Sequence, residues 1–199
     1  LGELVQDALI ARLCASPQAL CVVNRRKTAQ ALFASLPNDE GSYCLTTLLY
    51  PAHRKRLLKE IRSRLSAGLP CRVVSTSLIE AGVDVDFPVA YREEAGLDSI
   101  LQTAGRCNRE GRRSAEDSLV GIFRLEDHKP LRMLEQNIAS TRKVLQEYAD
   151  PAGLDAIEAY FTWNRILKGD EALDQKSILD ACSRGIAGSV FPFREIADR

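Results

Sequence analysis

The stretch Gln102-Thr-Ala-Gly-Arg106-Cys-Asn-Arg109-Glu-Gly-Arg112 places a glutamine four and seven residues ahead of two arginines. On a helix this spacing brings Gln102, Arg106 and Arg109 onto one stripe, with Ile100, Ala104 and Cys107 on the opposite one. Two guanidinium groups three residues apart repel each other, and Gly105 between them costs about 1 kcal/mol relative to Ala. A helix built only for packing gains nothing from either. A shared polyanion offsets both, because forked, permanently charged donors suit phosphate and the missing side chain at Gly105 lets it come close.

A second dense segment runs Arg72-Val-Val-Ser-Thr76-Ser77-Leu-Ile-Glu80-Ala-Gly82-Val-Asp84-Val-Asp86-Phe-Pro. Ser77 and Glu80 stand at capping-box spacing, which predicts a helix start and leaves neither for chemistry. Thr76 can donate its hydroxyl to a phosphate or satisfy a backbone carbonyl. Asp84 follows Gly82 in a predicted turn, where an acid either makes a local hydrogen bond or accepts one from a ribose hydroxyl. Two cationic clusters complete the set: Arg25-Arg26-Lys27 just after Asn24, and His53-Arg54-Lys55-Arg56 just after Pro51. Cations in a first helical turn oppose the helix dipole. Taken together, the clusters point to a phosphate backbone held by side chains and free helix N–H groups.

The elements that must position these residues alternate. Leu4, Leu9 and Leu13 predict an opening helix, Leu20–Val23 a strand, and Ala29, Leu32, Phe33 and Leu36 a second helix. Strands follow at Tyr43–Leu48, Cys71–Ser75, Val89–Arg92 and Leu119–Leu125, with helices from Pro51 and over about 99–109. Such alternation predicts an α/β fold with a mainly parallel sheet covered on both faces, whose ligands gather at the carboxyl ends of the strands. Beyond about residue 126 the pattern turns helical. Leu131, Leu134, Ile138, Leu145 and Tyr148 trace one amphipathic face, and Ile157, Tyr160, Phe161 and Ile166 the next, after Pro151. In this region Trp163 reads as packing rather than as a base-stacking platform.

Bulk composition sets limits. With 199 residues and 45% apolar content, the chain can bury a substantial core. Six cysteines without a Cys-x-x-Cys pair, and two histidines, assemble no zinc spacing and predict no metal site. They read as small buried hydrophobes in a reducing compartment. No apolar run near the length of a membrane span occurs, so the chain is expected to be cytoplasmic, with no membrane partner. Zero net charge hides an asymmetry: residues 21–76 hold ten Lys/Arg against three Asp/Glu, and residues 114–199 hold eleven against fifteen. The basic half can face nucleic acid and the acidic half cannot.

Gln102 to Arg109 resembles motif VI of superfamily 2 helicases, Ser75 to Asp84 their motif V, and Cys21 to Lys27 their motif IV. More narrowly, Ser-Thr-x-Leu-Ile-Glu-Ala-Gly-Val-Asp-Val-Asp-Phe-Pro, Pro-Ala-His-Arg at 51–54 and Gly-Arg-Cys-Asn-Arg-Glu-Gly are similar to the helicase-nuclease of type I CRISPR systems. The likeness continues through Tyr160-Phe161, Leu173-Asp-x-Lys-Ser-Ile-Leu179 and Phe191-Pro-Phe-Arg194. It implies a RecA-like three-layer second lobe over residues 1–125 and a helical linker with a partial C-terminal extension over 126–199.

The resemblance also implies roles. Arg109 would be the arginine finger, Arg106 a second γ-phosphate contact and Gln102 a nucleotide or coupling contact. Asp84, with Gly82 and Gly105, would border the nucleotide. Thr76, Asn24, Arg25, Arg26 and Arg54 would hold single-stranded DNA. ATP would be shared with a first RecA-like lobe, which would also hold Mg²⁺. A nuclease domain and the Cascade surveillance complex are the further partners implied.

No Gly-x-x-x-x-Gly-Lys-Ser/Thr sequence occurs in these 199 residues, and Asp170-Glu-Ala172 differs in residue and order from the metal-binding motif II. The expectation is therefore a truncated or split piece of a larger ATP-dependent helicase, inactive alone. Two alternatives stand beside it: a RecA-like DNA- or protein-binding module without ATP turnover, and a lobe of another superfamily 2 helicase.

Overall fold

Fully buried parallel strands need apolar residues on both faces, and Gln18–Val22 supplies them, with all five residues buried. In a computed structural model this strand, β2, lies inside a parallel sheet of six strands. The structure describes residues 2–80, 82–114, 116–126, 128–169, 177–188 and 193–197. Among them the strands are β1 (Gly2–Leu4), β2, β3 (Ser42–Leu45), β4 (Cys71–Ser75), β5 (Val89–Glu93) and β6 (Leu119–Leu125), in spatial order β1-β6-β5-β2-β4-β3. Helices α1 (Gln6–Ala15), α2 (Arg26–Ser35), α3 (Pro51–Ser66) and α4 (Leu97–Ala104) connect them. The Asp170–Ala172 string, Leu173–Lys176 and Phe191–Pro192 lie outside the described residues.

Strand alternation sorts the core into two layers. Ala19, Cys21 and Val23 of one face pack with Leu9 and Leu13 of α1 and Ala29 and Leu32 of α2. Leu20 and Val22 of the other face pack with Ile61 of α3, Val73, Ile79, Val85 and Phe87. The result is the three-layer α/β arrangement that the alternating elements predict.

Two local expectations need correcting. Leu4 belongs not to the opening helix but to β1, where it pairs with Leu125; a three-residue edge strand is too short to show a period. The second strand stops at Leu45 rather than Leu48, because Thr46 opens a turn in which the Leu49 N–H donates to the Thr46 carbonyl at 3.1 Å.

The chain forms two compact units, residues 1–138 and 139–199. The later helices are α5 (Glu135–Glu147), α6 (Leu154–Lys168), α7 (Ile178–Ala187) and α8 (Phe193–Ala197). Their buried stripes are shifted from the expected ones. In α5, Ile138, Thr141 and Val144 are buried while Leu145 is exposed, and in α6, Ala156, Tyr160 and Asn164 are buried while Phe161 and Ile166 are exposed. Polar Thr141 and Asn164 hid the true face; Asn164 is satisfied by the Ser140 hydroxyl, which donates to its Oδ1 at 3.3 Å. Trp163 carries the Lys143 ammonium over its ring at 3.5 Å.

Candidate functional site

Helix α4 ends at Ala104, with Gly105 as its cap. The single stripe of Gln102, Arg106 and Arg109 is therefore corrected: only Gln102 is helical, and it is exposed on the last turn. The backbone beyond Gly105 finds a partner that outcompetes helix continuation. The Phe87 N–H donates to the Arg106 carbonyl at 2.8 Å and the Asn108 N–H to the Phe87 carbonyl at 3.0 Å, a short parallel bridge between Phe87 and Cys107. Asn108 then takes a left-handed φ of 49°, which asparagine tolerates better than most residues.

This turn brings the two dense segments of the sequence together. The Arg106 guanidinium donates Nε–H to the Ile79 carbonyl at 3.1 Å, Nη2–H to the Glu80 carbonyl, and Nη1–H to the Gly105 carbonyl at 3.3 Å. Burial lowers its pKa first and the Arg109 charge lowers it further, against Asp84 and Glu80. The Arg109 N–H donates to Asp86 Oδ1 at 2.8 Å, and its Nε lies 3.5 Å from Asp84 Oδ1. Both side chains of that pair are open to solvent, at 43% and 80% exposure, so the pair is loose. Beneath it Arg113 Nη1 sits 3.2 Å from both Asp86 oxygens, and the Asn108 side chain brackets the Arg113 backbone.

Gly82 has φ +68°, and no atom stands within 4 Å of where its Cβ would be. Gly105 has an ordinary backbone, and a Cβ there would make only van der Waals contacts at 3.5 Å. The fold itself does not demand glycine at position 105.

The candidate nucleic-acid residues fall in four places. Thr76 is buried between β4 and a 3₁₀ turn, Ser77–Ile79, its N–H donating to the Leu45 carbonyl at 3.1 Å. Arg54 lines a groove of about 880 Å³ between α3 and residues 78–83. Four further cations, Lys55, Arg56, Lys59 and Arg62, border this groove, and among the described residues no carboxylate does. Arg25 lines a different hollow, beside Lys27 and Lys129, and donates to the Lys129 carbonyl at 2.6 Å; Arg26 is exposed at the start of α2. Asn24 is turned inward. Its N–H donates to Glu93 Oε2 at 2.6 Å, its Nδ2–H to the Glu94 carbonyl at 2.8 Å, and its Oδ1 accepts from Arg92 Nη1 at 2.8 Å.

That arginine leads to what the sequence reading missed. Arg92 is 2% exposed, with Nε 3.0 Å from Glu80 Oε1, an ionic contact without a well-aimed hydrogen bond. Its Nη1 donates to the Glu93 carbonyl at 2.8 Å and its Nη2 to Ser99 Oγ at 3.0 Å, while the Ser99 hydroxyl donates to Glu80 Oε2 at 2.7 Å. Burial pushes the Glu80 pKa up and the Arg92 pKa down, each against the partner's attraction. The capping-box reading of Ser77 and Glu80 is thereby corrected: the Ser77–Ile79 turn has no side-chain cap, and Glu80 points at Arg92 instead. The available signal was Arg92 at the end of the apolar run Val89-Ala-Tyr, followed directly by Glu93 and Glu94.

Known proteins share both sequence and fold with this chain. A family model described as CRISPR-associated nuclease/helicase Cas3, C-terminal, matches residues 15–112. The CRISPR-associated nuclease/helicase Cas3 of Haloferax volcanii is 42% identical over 107 residues, which is 52% of this chain and 11% of that protein. The crystal structure of T. fusca Cas3 with ATP superposes with a TM-score of 0.60 at 17% identity, over 92% of this chain and 24% of that one. The C-terminal domain of the DEAD-box protein Dbp5 does so with a TM-score of 0.51 at 15% identity, over 79% and 93%. The chain thus spans a small part of the Cas3 proteins it matches, and its sheet has the RecA-like fold of helicase C-terminal domains. Over residues 15–112 the chain is thus similar in sequence to the C-terminal part of CRISPR-associated nuclease/helicase Cas3.

Proposed function

We propose that this chain is the second motor lobe of an ATP-dependent single-stranded DNA translocase of type I CRISPR interference. It would work with a first RecA-like lobe and a nuclease domain. The observation that carries the reading is the meeting of Asp84, Arg106 and Arg109 on one exposed edge, with Arg106 locked and Arg109 loosely held. The donor set suits the phosphate end of ATP: two guanidinium groups, an open Gly82 and a Gly105 that the fold does not require. ATP supplies the phosphoryl group whose transfer to water drives movement, and Mg²⁺ belongs to the first lobe.

Within this chain, Arg109 exchanges its 3.5 Å contact with Asp84 for phosphate oxygens. Arg106, fixed on the Ile79, Glu80 and Gly105 carbonyls, keeps unused N–H donors for a second contact. Exposed Gln102 borders the nucleotide and reports its state to α4. Asp84 is left free to bond the ribose or ordered water.

Single-stranded DNA would cross the carboxyl ends of β2 and β4. There Thr76 and the cations Arg25, Arg26 and Arg54 hold phosphates, and Asn24 acts by shaping the end of β2. A chain of the same fold is part of a CRISPR RNA-guided surveillance complex, pre-nicking, which supports the Cascade surveillance complex as a partner.

Replacing Arg25, Arg26 and Arg54 together by Ala is expected to weaken single-stranded DNA binding. The slope of log K against log salt should shrink by about 0.7 per lost contact, about 2 in all. Fluorescence anisotropy over a salt series measures this, and an unchanged slope removes these residues from the DNA surface.

A further inference from the structure

We infer that the buried pair of Glu80 and Arg92 is a positioning device. It ties the segment Thr76–Asp84 to the carboxyl ends of β2 and β5, so that displacement at the DNA edge is transmitted to Arg106. The transmission rests on the motor reading above; the tie does not.

One guanidinium, 2% exposed, joins four separate pieces of chain. Arg92 holds the Glu80 carboxylate at 3.0 Å, the Asn24 side chain at 2.8 Å, the Glu93 carbonyl at 2.8 Å and the Ser99 hydroxyl of α4 at 3.0 Å. The Ser77–Ile79 turn that follows Thr76 has no side-chain cap; its end is closed by the Glu80 N–H donating to the Ser77 carbonyl at 3.0 Å, and the Glu80 side chain ties that end to Arg92. From the other side, the carbonyls of Ile79 and Glu80 hold Arg106. The anchored turn therefore carries Thr76 at one end and the seat of Arg106 at the other, and any shift of Glu80 moves that seat.

Stability alone does not account for the pair. A buried ion pair contributes no more to stability than well-packed apolar residues of similar volume. What it adds, beside the β2–β5 pairing and the bonds of Asn24 to Glu93 and Glu94, is a fixed link from those strand ends to Glu80 and to Ser99 of α4.

The test uses the double variant Glu80→Met/Arg92→Met in the full chain, which keeps side-chain volume and leaves no unpaired charge. In the chain alone, amides of residues 77–80 and 82–84 are expected to exchange with deuterium about tenfold faster, with the central strands unchanged. With a first lobe supplied, stimulation by single-stranded DNA, read as the ratio of turnover with DNA to turnover without it, is expected to fall about tenfold, a typical size for coupling between sites.

Exchange at wild-type rates in a folded double variant would overturn the positioning role, and full DNA stimulation would overturn the transmission. If wild-type lobes show no DNA-stimulated turnover at all, the motor reading has failed together with the transmission, and the exchange result still decides whether the pair holds the turn. Should the double variant not fold, Ser99→Ala, which removes a hydrogen bond from each partner and leaves no charge unpaired, takes its place in both arms with the same expected directions.

Discussion

Arg109→Ala, combined with a first RecA-like lobe, is expected to lower DNA-stimulated ATP turnover by about 10³-fold or more. Affinity for single-stranded DNA should stay within about twofold. The split follows from where Arg109 sits. Its side chain is 43% exposed and touches an Asp84 that is 80% exposed, a pairing that contributes at most about 1 kcal/mol to folding. Its backbone N–H keeps the bond to Asp86 in the variant, so the turn that seats Arg106 is retained. What is lost is a forked cation available to a phosphoryl group. Arg109→Lys should fail to restore turnover, since an ammonium offers a point charge in place of a planar pair of donors. Turnover assays across an ATP series check both variants, and wild-type turnover by Arg109→Ala removes the finger role.

Glu80→Ala acts on a different property. It is expected to lower the stability of the chain by about 3–5 kcal/mol, because removing one member of a buried pair leaves the other charged and uncompensated. Arg92 is 2% exposed and is held in place by Asn24 and Ser99, so its charge stays within the fold when Glu80 is removed. The exposed pair of Arg184 and Asp180 in α7, 3.2 Å apart, is the natural control: Asp180→Ala should cost about 0.5 kcal/mol or less. Urea unfolding of the two variants beside the wild type gives both numbers. A loss below about 1 kcal/mol for Glu80→Ala would mean that water reaches Arg92.

The sheet was legible because apolar runs mark buried parallel strands. Cys71–Ser75 forms β4 as expected, and the helix from Pro51 begins where proline suits a first helical position. The three ordered motifs were legible as a resemblance because each is a contiguous string that needs no distant partner to be recognised. Less legible were features decided by partners distant in sequence.

Helix α4 was expected to run through Arg109, yet Phe87 captures the backbone of Arg106 and Asn108, and the helix stops at Ala104. Local spacing cannot register a competitor that lies about twenty residues upstream. Glu80 shows the same limit in another form: three residues after Ser77 it satisfies a capping pattern, while the side chain it answers to is Arg92 on β5. Asn24 was expected to hold the DNA backbone, yet its side-chain amide is engaged by Glu94 and Arg92 inside the fold. The pairing of Asp84 with Arg109, and of Arg106 with the Ile79 and Glu80 carbonyls, required the two motifs to be folded together before it could be seen.

The most direct test of the motor reading is ATP turnover by the full chain alone, by a first RecA-like lobe of the family alone, and by the two mixed, each with and without single-stranded DNA. Negligible turnover by this chain alone, turnover on mixing, and a further rise with DNA are the predicted results. Substantial turnover by this chain alone, or no gain when the lobes are mixed, would contradict the claim that it is half of an ATP-driven motor.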